Sequence, residues 1–152
     1  MQAAVEQGVW VRVGSRTVAL HVVELGLACC GVEVREARRT AELLGSLGDS
    51  SGPSGPGSPA AGAPADLNVL VVAGTVTTRL APELAAAFDA LPQPRAVLAF
   101  GACASTGGPY WDSYCVVPGA HEVVPVDVWV PGCPPRPEDL VAGLAEVLHG
   151  RA

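Results

Sequence analysis

Continuous apolar runs alternate with helical patterns in the second half of the chain. The apolar runs cover residues 67–73, 96–100 and 123–130, and such runs are typical of strands buried on both faces of a sheet. A loop and a helix are predicted over residues 75–91, and a last helix over residues 134–148, where prolines and acidic residues mark the first turn. This alternation predicts an α/β fold with a doubly wound parallel sheet, which has helices on both faces.

The first half of the chain is less regular. Residues 9–13 and 18–23 are short β-branched runs around a Gly-Ser turn, and they predict either a hairpin or an edge strand followed by a core strand. Residues 33–47 contain helix formers and predict a helix that ends at Gly48. Residues 49–64 (DSSGPSGPGSPAAGAP) contain prolines but no large apolar side chain, so we expect a flexible insertion there.

Length, composition and charge narrow the function classes. A chain of 152 residues suffices for a single domain, residues 1–152, with a substantial core. It is 49% hydrophobic and only 16% charged, so we expect partner subunits to cover part of its surface. The net charge is −6 and the nine basic residues, all arginine, form no basic stripe, which argues against nucleic-acid binding.

Neither a signal peptide nor an apolar run of about 20 residues is evident, so we expect a cytoplasmic chain.

Four of the five cysteines occur near glycine or proline. Cys103 and Cys133 each follow a predicted parallel strand, so the topology places both at the carboxyl edge of the sheet. The tandem pair Cys29 and Cys30 completes a set whose spacing matches neither a zinc finger nor a bacterial-ferredoxin run. Because no secretion signal accompanies these cysteines, ligation is favoured over a disulfide framework. We therefore predict that the four thiolates hold one [4Fe-4S] cluster.

Other interpretations of these residues remain open. Zinc is the competing metal, and a dithiol-disulfide switch at the tandem pair is a less favoured alternative because a vicinal disulfide is strained. Two adjacent cysteines on one site require an unusual turn, for which nearby glycines, Gly26 and Gly31, supply the freedom. Further glycines that would let backbone amides approach the sulfurs are Gly101, Gly107, Gly108 and Gly132. The remaining cysteine, Cys115, is assigned to packing, and the three histidines to surface or core positions: His21, His121 and His149.

Four segments resemble the B subunit of NADH-quinone oxidoreductase (respiratory complex I), which is related to the small subunits of [NiFe] hydrogenases. They are GLACCGVE (26–33), VVAGTVT (71–77), FGACASTGGPYWDSY (100–114) and VPVDVWVPGCPPRPEDL (124–140). The resemblance implies a flavodoxin-like fold and one [4Fe-4S] cluster, the last of the electron chain, held by the same four cysteines. It also implies electron transfer to quinone in a pocket shared with the 49-kDa-type (D) subunit.

The resemblance carries further expectations. The chain would be an oxidoreductase (translocase) subunit that is not catalytic alone, held peripherally at the cytoplasmic side of the cell membrane by the other peripheral-arm and membrane subunits. Adjacent cysteines distinguish it from hydrogenase-type relatives, which place two residues between them. Glu33 matches an acidic residue of the family, and Gly101 and Gly132 would lie beside the cluster. Ala65 stands where the family carries an arginine.

Two alternative functions remain at this point. The first is the small subunit of a hydrogenase-like or ferredoxin-linked membrane oxidoreductase. The second is a non-enzymatic cluster or metal module, which the replacement of the arginine by Ala65 and the insertion would favour.

Overall fold

One five-stranded sheet organises the protein. The computed structural model describes residues 4–13, 16–25, 28–44 and 65–150. The strands follow chain order across the sheet: Ala4–Val13 (β1), Arg16–Leu25 (β2), Leu67–Gly74 (β3), Arg95–Phe100 (β4) and Val128–Val130 (β5). β1 pairs antiparallel with β2, whereas β2 to β5 are parallel. Both alternatives for the first half thus hold in part, since β1 and β2 are an antiparallel pair and β2 is also a strand of the parallel sheet.

The third apolar run of the second half is a strand only at its end. We predicted a strand over residues 123–130, but β5 contains three residues. A 3₁₀ turn over Ala120–Glu122 precedes it, and the amides of Val123 and Val124 donate to the carbonyl of Ala120 at 3.0 and 2.9 Å. Val124 is buried, so this apolar stretch packs on the core as a turn and not as a strand.

Four helices complete the described structure: Cys29–Leu44 (α1), Ala81–Asp89 (α2), Ala102–Thr106 (α3) and Pro137–His149 (α4).

The prediction that the first helix begins at residue 33 was wrong. Helix α1 begins at Cys29, and the Gly31 amide in its first turn donates to the Ala28 carbonyl at 3.0 Å. The last helix begins three residues later than predicted. The sequence did not predict α3. The helix end predicted at Gly48 and the flexible insertion at residues 49–64 lie outside the described residues.

Helices cover both faces of the sheet. In one core cluster, Val34 of α1 and Leu144 of α4 pack against alternate strand residues such as Val71. In the cluster on the opposite face, Leu84 of α2 packs against the intervening strand residues, such as Val72. All eight residues of β3 are buried, as expected for a central strand covered on both sides. The predicted α/β fold with a parallel, doubly wound sheet is confirmed.

None of the helices in the described part of the chain is long and apolar enough to cross a membrane.

Candidate functional site

The carboxyl edge of the parallel sheet carries the four predicted ligands. Cys29 and Cys30 occupy the first turn of α1, shortly after β2. Cys103 is the second residue of α3, which directly follows β4, and Cys133 lies in the turn after β5. Parallel strands deliver the residues that follow them to one edge, so three separate loops contribute to one region.

Backbone hydrogen bonds join two of these loops. The amide of Gly101 donates to the carbonyl of Val130 at 2.8 Å, and the amide of Ala102 donates to the carbonyl of Gly132 at 2.8 Å. The segment that leads to Cys103 is therefore fixed against the segment that leads to Cys133.

The environment of Cys30 shows that the four cysteines share one neighbourhood. This residue is only 1% exposed. Burial, followed by the charges of Cys29, Cys103 and Cys133 and a hydrogen bond that the Cys30 thiol donates to the Cys29 sulfur, raises the pKa of Cys30 to about 12. Like charges raise a thiol pKa only when they lie nearby, so the fold brings the four predicted side chains together.

Two glycines make room for the sulfur atoms. A Cβ at Gly101 would lie 2.5 Å from Cys30 Sγ, and a Cβ at Gly108 would lie 2.9 Å from Cys103 Sγ. Gly132 has a different role, because its Cβ would meet the backbone nitrogen of Pro135 at 2.6 Å, so this glycine allows the turn that carries Cys133. The three atoms nearest to a Cβ at Gly107 would all belong to Trp111. Gly26 lies outside the described residues.

Exposure divides the four thiols into two pairs. Cys30 and Cys103 are buried, whereas Cys29 and Cys133 are exposed, so the site opens to the surface. In residues 4–13, 16–25, 28–44 and 65–150, no three His, Cys, Asp or Glu side chains are close enough to hold a single metal ion.

Cys115 does not belong to this group. It makes no contribution to the charge around Cys30, and it is exposed, with its sulfur 3.2 Å from the hydroxyl of Ser113. The prediction that Cys115 packs in the core was therefore wrong. The stretch around Cys115 turns back over the surface, where the Cys115 carbonyl accepts a hydrogen bond from the amide of Thr78 at 2.9 Å.

The other predicted residues are distributed as follows. Glu33 is part-exposed on α1, and Ala65 is part-exposed shortly before β3. Each histidine has a contact of its own: His21 with the Asn68 side chain at 3.2 Å, His121 with Glu122 at 3.4 Å, and His149 with the Ala145 carbonyl at 2.6 Å. These contacts agree with the surface or core role expected for the histidines.

Sequence reasoning missed an ion pair beside the tandem cysteines. Arg35 on α1 contacts Glu24 near the end of β2. The two residues are eleven positions apart, one on a strand and one on a helix, and no spacing rule relates such a pair.

Comparison with known families decides the relationship of the chain. The family model described as "NADH ubiquinone oxidoreductase, 20 Kd subunit" matches residues 28–147. The chain belongs to this family. The matched region includes all four clustered cysteines and confirms the resemblance found in the sequence.

Curated members of the 20-kDa subunit family show the same relationship. The B 1 subunit of NADH-quinone oxidoreductase from Salinispora tropica is 44% identical over 132 residues, which cover 85% of this chain and 64% of the relative. The B 2 subunit of the same enzyme from Symbiobacterium thermophilum is 44% identical over 122 residues, which cover 80% of this chain and 63% of the relative. The chain thus spans somewhat less than two thirds of the length of these relatives.

A solved structure resembles this member of the 20-kDa subunit family. It is a chain of the membrane-bound sulfane sulfur reductase, an archaeal respiratory membrane complex, with a TM-score of 0.60 and 27% sequence identity. The match covers 84% of this chain and 68% of that one.

Proposed function

We propose that this chain is the electron-transfer subunit that carries the terminal [4Fe-4S] cluster of an NADH-quinone oxidoreductase. Cys29, Cys30, Cys103 and Cys133 would each supply one thiolate. The observation that carries the proposal is that the loops after β2, β4 and β5 bring the four cysteines to one edge of the sheet, around the buried Cys30. Membership of the 20-kDa subunit family supports the same assignment.

The donor set fits a cluster better than a single zinc ion. Zinc-sulfur bonds of about 2.3 Å in a tetrahedral site place the sulfurs about 3.8 Å apart. Here the four thiolates follow three separate strands, β2, β4 and β5, and none of them forms the Cys-x-x-Cys pair typical of structural zinc sites. A four-iron cluster takes one thiolate on each iron, so its ligands are spread more widely. When bound, the cluster would supply one-electron transfer.

The residues of the chain would hold and shield that group. Cys30 and Cys103 lie on the buried side and exclude water, whereas Cys29 and Cys133 face the surface. Since metals bind thiolates, ligation must remove the proton that the raised pKa keeps on Cys30. The hydrogen bonds that join the Cys103 and Cys133 loops would hold two of the ligands in place before assembly.

The acceptor and the partners are part of the proposal. Quinone would take electrons at an interface with the D (49-kDa-type) subunit, and other subunits of the complex would hold the chain peripherally at the cytoplasmic side of the cell membrane. Tyr110 and Trp111 support a protein interface near the site, because they follow α3, which carries Cys103, and are 57% and 68% exposed. Large exposed aromatic side chains are enriched at protein interfaces.

The test is low-temperature EPR of the full chain, purified anaerobically with its native membrane complex and reduced. We expect a [4Fe-4S] signal that quinone abolishes by reoxidation. The signal should be lost in Cys103→Ser and Cys133→Ser and retained in Cys115→Ser, which changes an exposed cysteine outside the cluster of thiols. Absence of iron, or a signal indifferent to Cys103 and Cys133, would overturn the proposal and favour a non-enzymatic module.

The structural match favours one second candidate. The similarity to a chain of a sulfane sulfur reductase complex supports an electron-transfer subunit of a different respiratory membrane complex, such as a ferredoxin-linked oxidoreductase. In that case the same cysteines would carry the EPR signal, but added quinone would leave the reduced cluster unchanged. The reoxidation step therefore separates the two candidates.

A further inference from the structure

A bidentate ion pair links β2 to the helix that begins with the tandem cysteines. Arg35 Nε donates to Glu24 Oε1 at 2.8 Å, and a terminal guanidinium nitrogen of Arg35 donates to Glu24 Oε2 at 2.5 Å. Paired bonds between one guanidinium and one carboxylate fix direction as well as distance. The pair therefore constrains the orientation of α1 relative to the strand.

Gly31 brings the carboxylate against the first turn of α1. Gly31 directly follows Cys30, and a Cβ at this glycine would lie 3.5 Å from Glu24 Cδ. The Glu24 carboxylate thus packs on the helix backbone next to the ligand pair. The Glu24 side chain is only 11% exposed, whereas that of Arg35 is 56% exposed.

The sheet holds the other end of this link. Glu24 is paired in register with Ala73 of β3, so its backbone is held in the parallel sheet near the carboxyl end of β2. The contact from Gly31 to Ala28 is local and leaves the direction of α1 undetermined. The ion pair adds a directional link near the first turn of α1 to the core packing of Cys30 and Val34, which also holds the helix on the sheet.

We propose that Glu24 and Arg35 are positioning residues for Cys29 and Cys30. They would hold the first turn of α1 against the sheet, so that the tandem thiols already lie near Cys103 and Cys133 before the cluster is bound. This inference rests on the proposed function, because the four thiols are taken as ligands of one cluster.

The unequal exposure of the two partners predicts unequal effects of their removal. Arg35→Gln leaves a mostly buried carboxylate without this guanidinium, which is the costly way to break such a pair. Glu24→Gln leaves a neutral amide in the buried position and therefore no unpaired buried charge, while Arg35 is 56% exposed. The double variant removes the unpaired charge and should resemble Glu24→Gln.

The experiment uses the full chain, loaded with iron and sulfide under anaerobic conditions, and follows loss of the cluster absorption after addition of an iron chelator. We expect cluster loss about 10-fold faster in Arg35→Gln, because the largely buried carboxylate loses its paired guanidinium. Cluster loss should be about 3-fold faster in both Glu24→Gln and the double variant, which lose the paired bonds but leave no charge in the buried position. Arg35→Lys, which keeps the charge but not the paired bonds, should fall between wild type and Arg35→Gln. Arg39→Gln, an exposed arginine one turn along α1, is the matched control and should match wild type.

A second readout does not depend on the cluster. In the iron-free chain, Arg35→Gln should accelerate hydrogen exchange at the amides of the first turn of α1 and leave exchange in β3 unchanged. A general loss of stability would accelerate exchange in both elements.

The outcomes separate the two proposals. If wild type loads a cluster but Arg35→Gln behaves as Arg39→Gln does, the positioning role is wrong and the proposed function stands. If exchange accelerates equally in α1 and β3, the pair serves general stability and the positioning role is again wrong. If wild type loads no cluster at all, the proposed function fails, and the positioning role fails with it.

Discussion

The absence of a side chain at Gly101 provides the space that the Cys30 sulfur occupies. A Cβ at residue 101 would lie 2.5 Å from Cys30 Sγ, well inside van der Waals contact. Gly101 also has a φ of 92°, a conformation that residues with a Cβ rarely adopt. One glycine between β4 and α3 thus allows the loop of Cys103 to close over the buried thiol of α1.

Gly101→Ala should therefore damage both the fold and the site. The backbone conformation alone, with φ 92° and ψ 167°, costs a residue with a Cβ about 1–3 kcal/mol, and the new methyl group must displace the Cys30 thiol. We expect a lower free energy of unfolding in urea, by at least that amount, and a large decrease in bound iron. Gly150→Ala is the control, because φ there is −68° and the nearest atom is 3.6 Å away. Full iron loading in Gly101→Ala would contradict the close approach.

Gly143 should be equally intolerant, for a reason of packing. A Cβ on this residue of α4 would lie 2.7 Å from Val130 Cγ2 and 2.9 Å from Leu98 Cδ1. Alanine normally stabilises a helix relative to glycine by up to about 1 kcal/mol, but overpacking costs about 1–3 kcal/mol. We expect Gly143→Ala to lower the free energy of unfolding by up to about 2 kcal/mol, which is the overpacking cost less the helix gain, measured in urea.

A double variant identifies the cause of that loss. In the Val130→Ala background the methyl group that Gly143→Ala would strike is absent, so the added cost of Gly143→Ala should shrink. Equal costs in the two backgrounds would show that the contact with Val130 is not responsible.

Asp127 should control the alignment of β5, which leads to Cys133. Its carboxylate Oδ2 accepts a hydrogen bond from the Val97 amide at 2.8 Å, and its own amide donates to the Val97 carbonyl at 2.9 Å. Asp127→Ala leaves the amide of the fully buried Val97 without this acceptor, which costs about 1–3 kcal/mol. Asp127→Asn keeps an acceptor oxygen and should cost less. Chemical unfolding of both variants is the measurement, and equal losses would show that the carboxylate charge matters more than the hydrogen bond.

The sequence predicted the parallel strands, and the meeting of the four cysteines at one edge of the sheet, because the signals for both are local. A run such as residues 67–73 is apolar throughout, and a strand end followed by a cysteine specifies which edge of the sheet the thiol reaches. Residues 123–127 show where this reasoning fails, since the same apolar composition serves a turn packed on the core when Pro125 removes a backbone donor. The start of α1 at Cys29 and the Glu24 contact depend on tertiary geometry, which no window of the sequence contains.

The last prediction concerns the thiol of Cys30 in the iron-free chain. Burial first, and the neighbouring thiolates second, raise its pKa from the ordinary 9.0 to about 12. Only the thiolate is nucleophilic, so alkylation of Cys30 by iodoacetamide should be negligible at pH 8 and should still be accelerating between pH 10 and 12. In the urea-unfolded chain the rate should level off above the ordinary pKa. Because the folded pKa is the higher one, folding favours the protonated thiol, and this contribution to stability is complete below pH 9 and is lost as the pH rises towards 12.

Mass spectrometry of the Cys30 peptide measures the alkylation rates. Cys29→Ser removes one neighbouring charge but not the burial, so it should lower the pKa of Cys30 only in part. Equal rates for folded and unfolded chains at pH 8 would contradict the buried, thiol-surrounded position of Cys30.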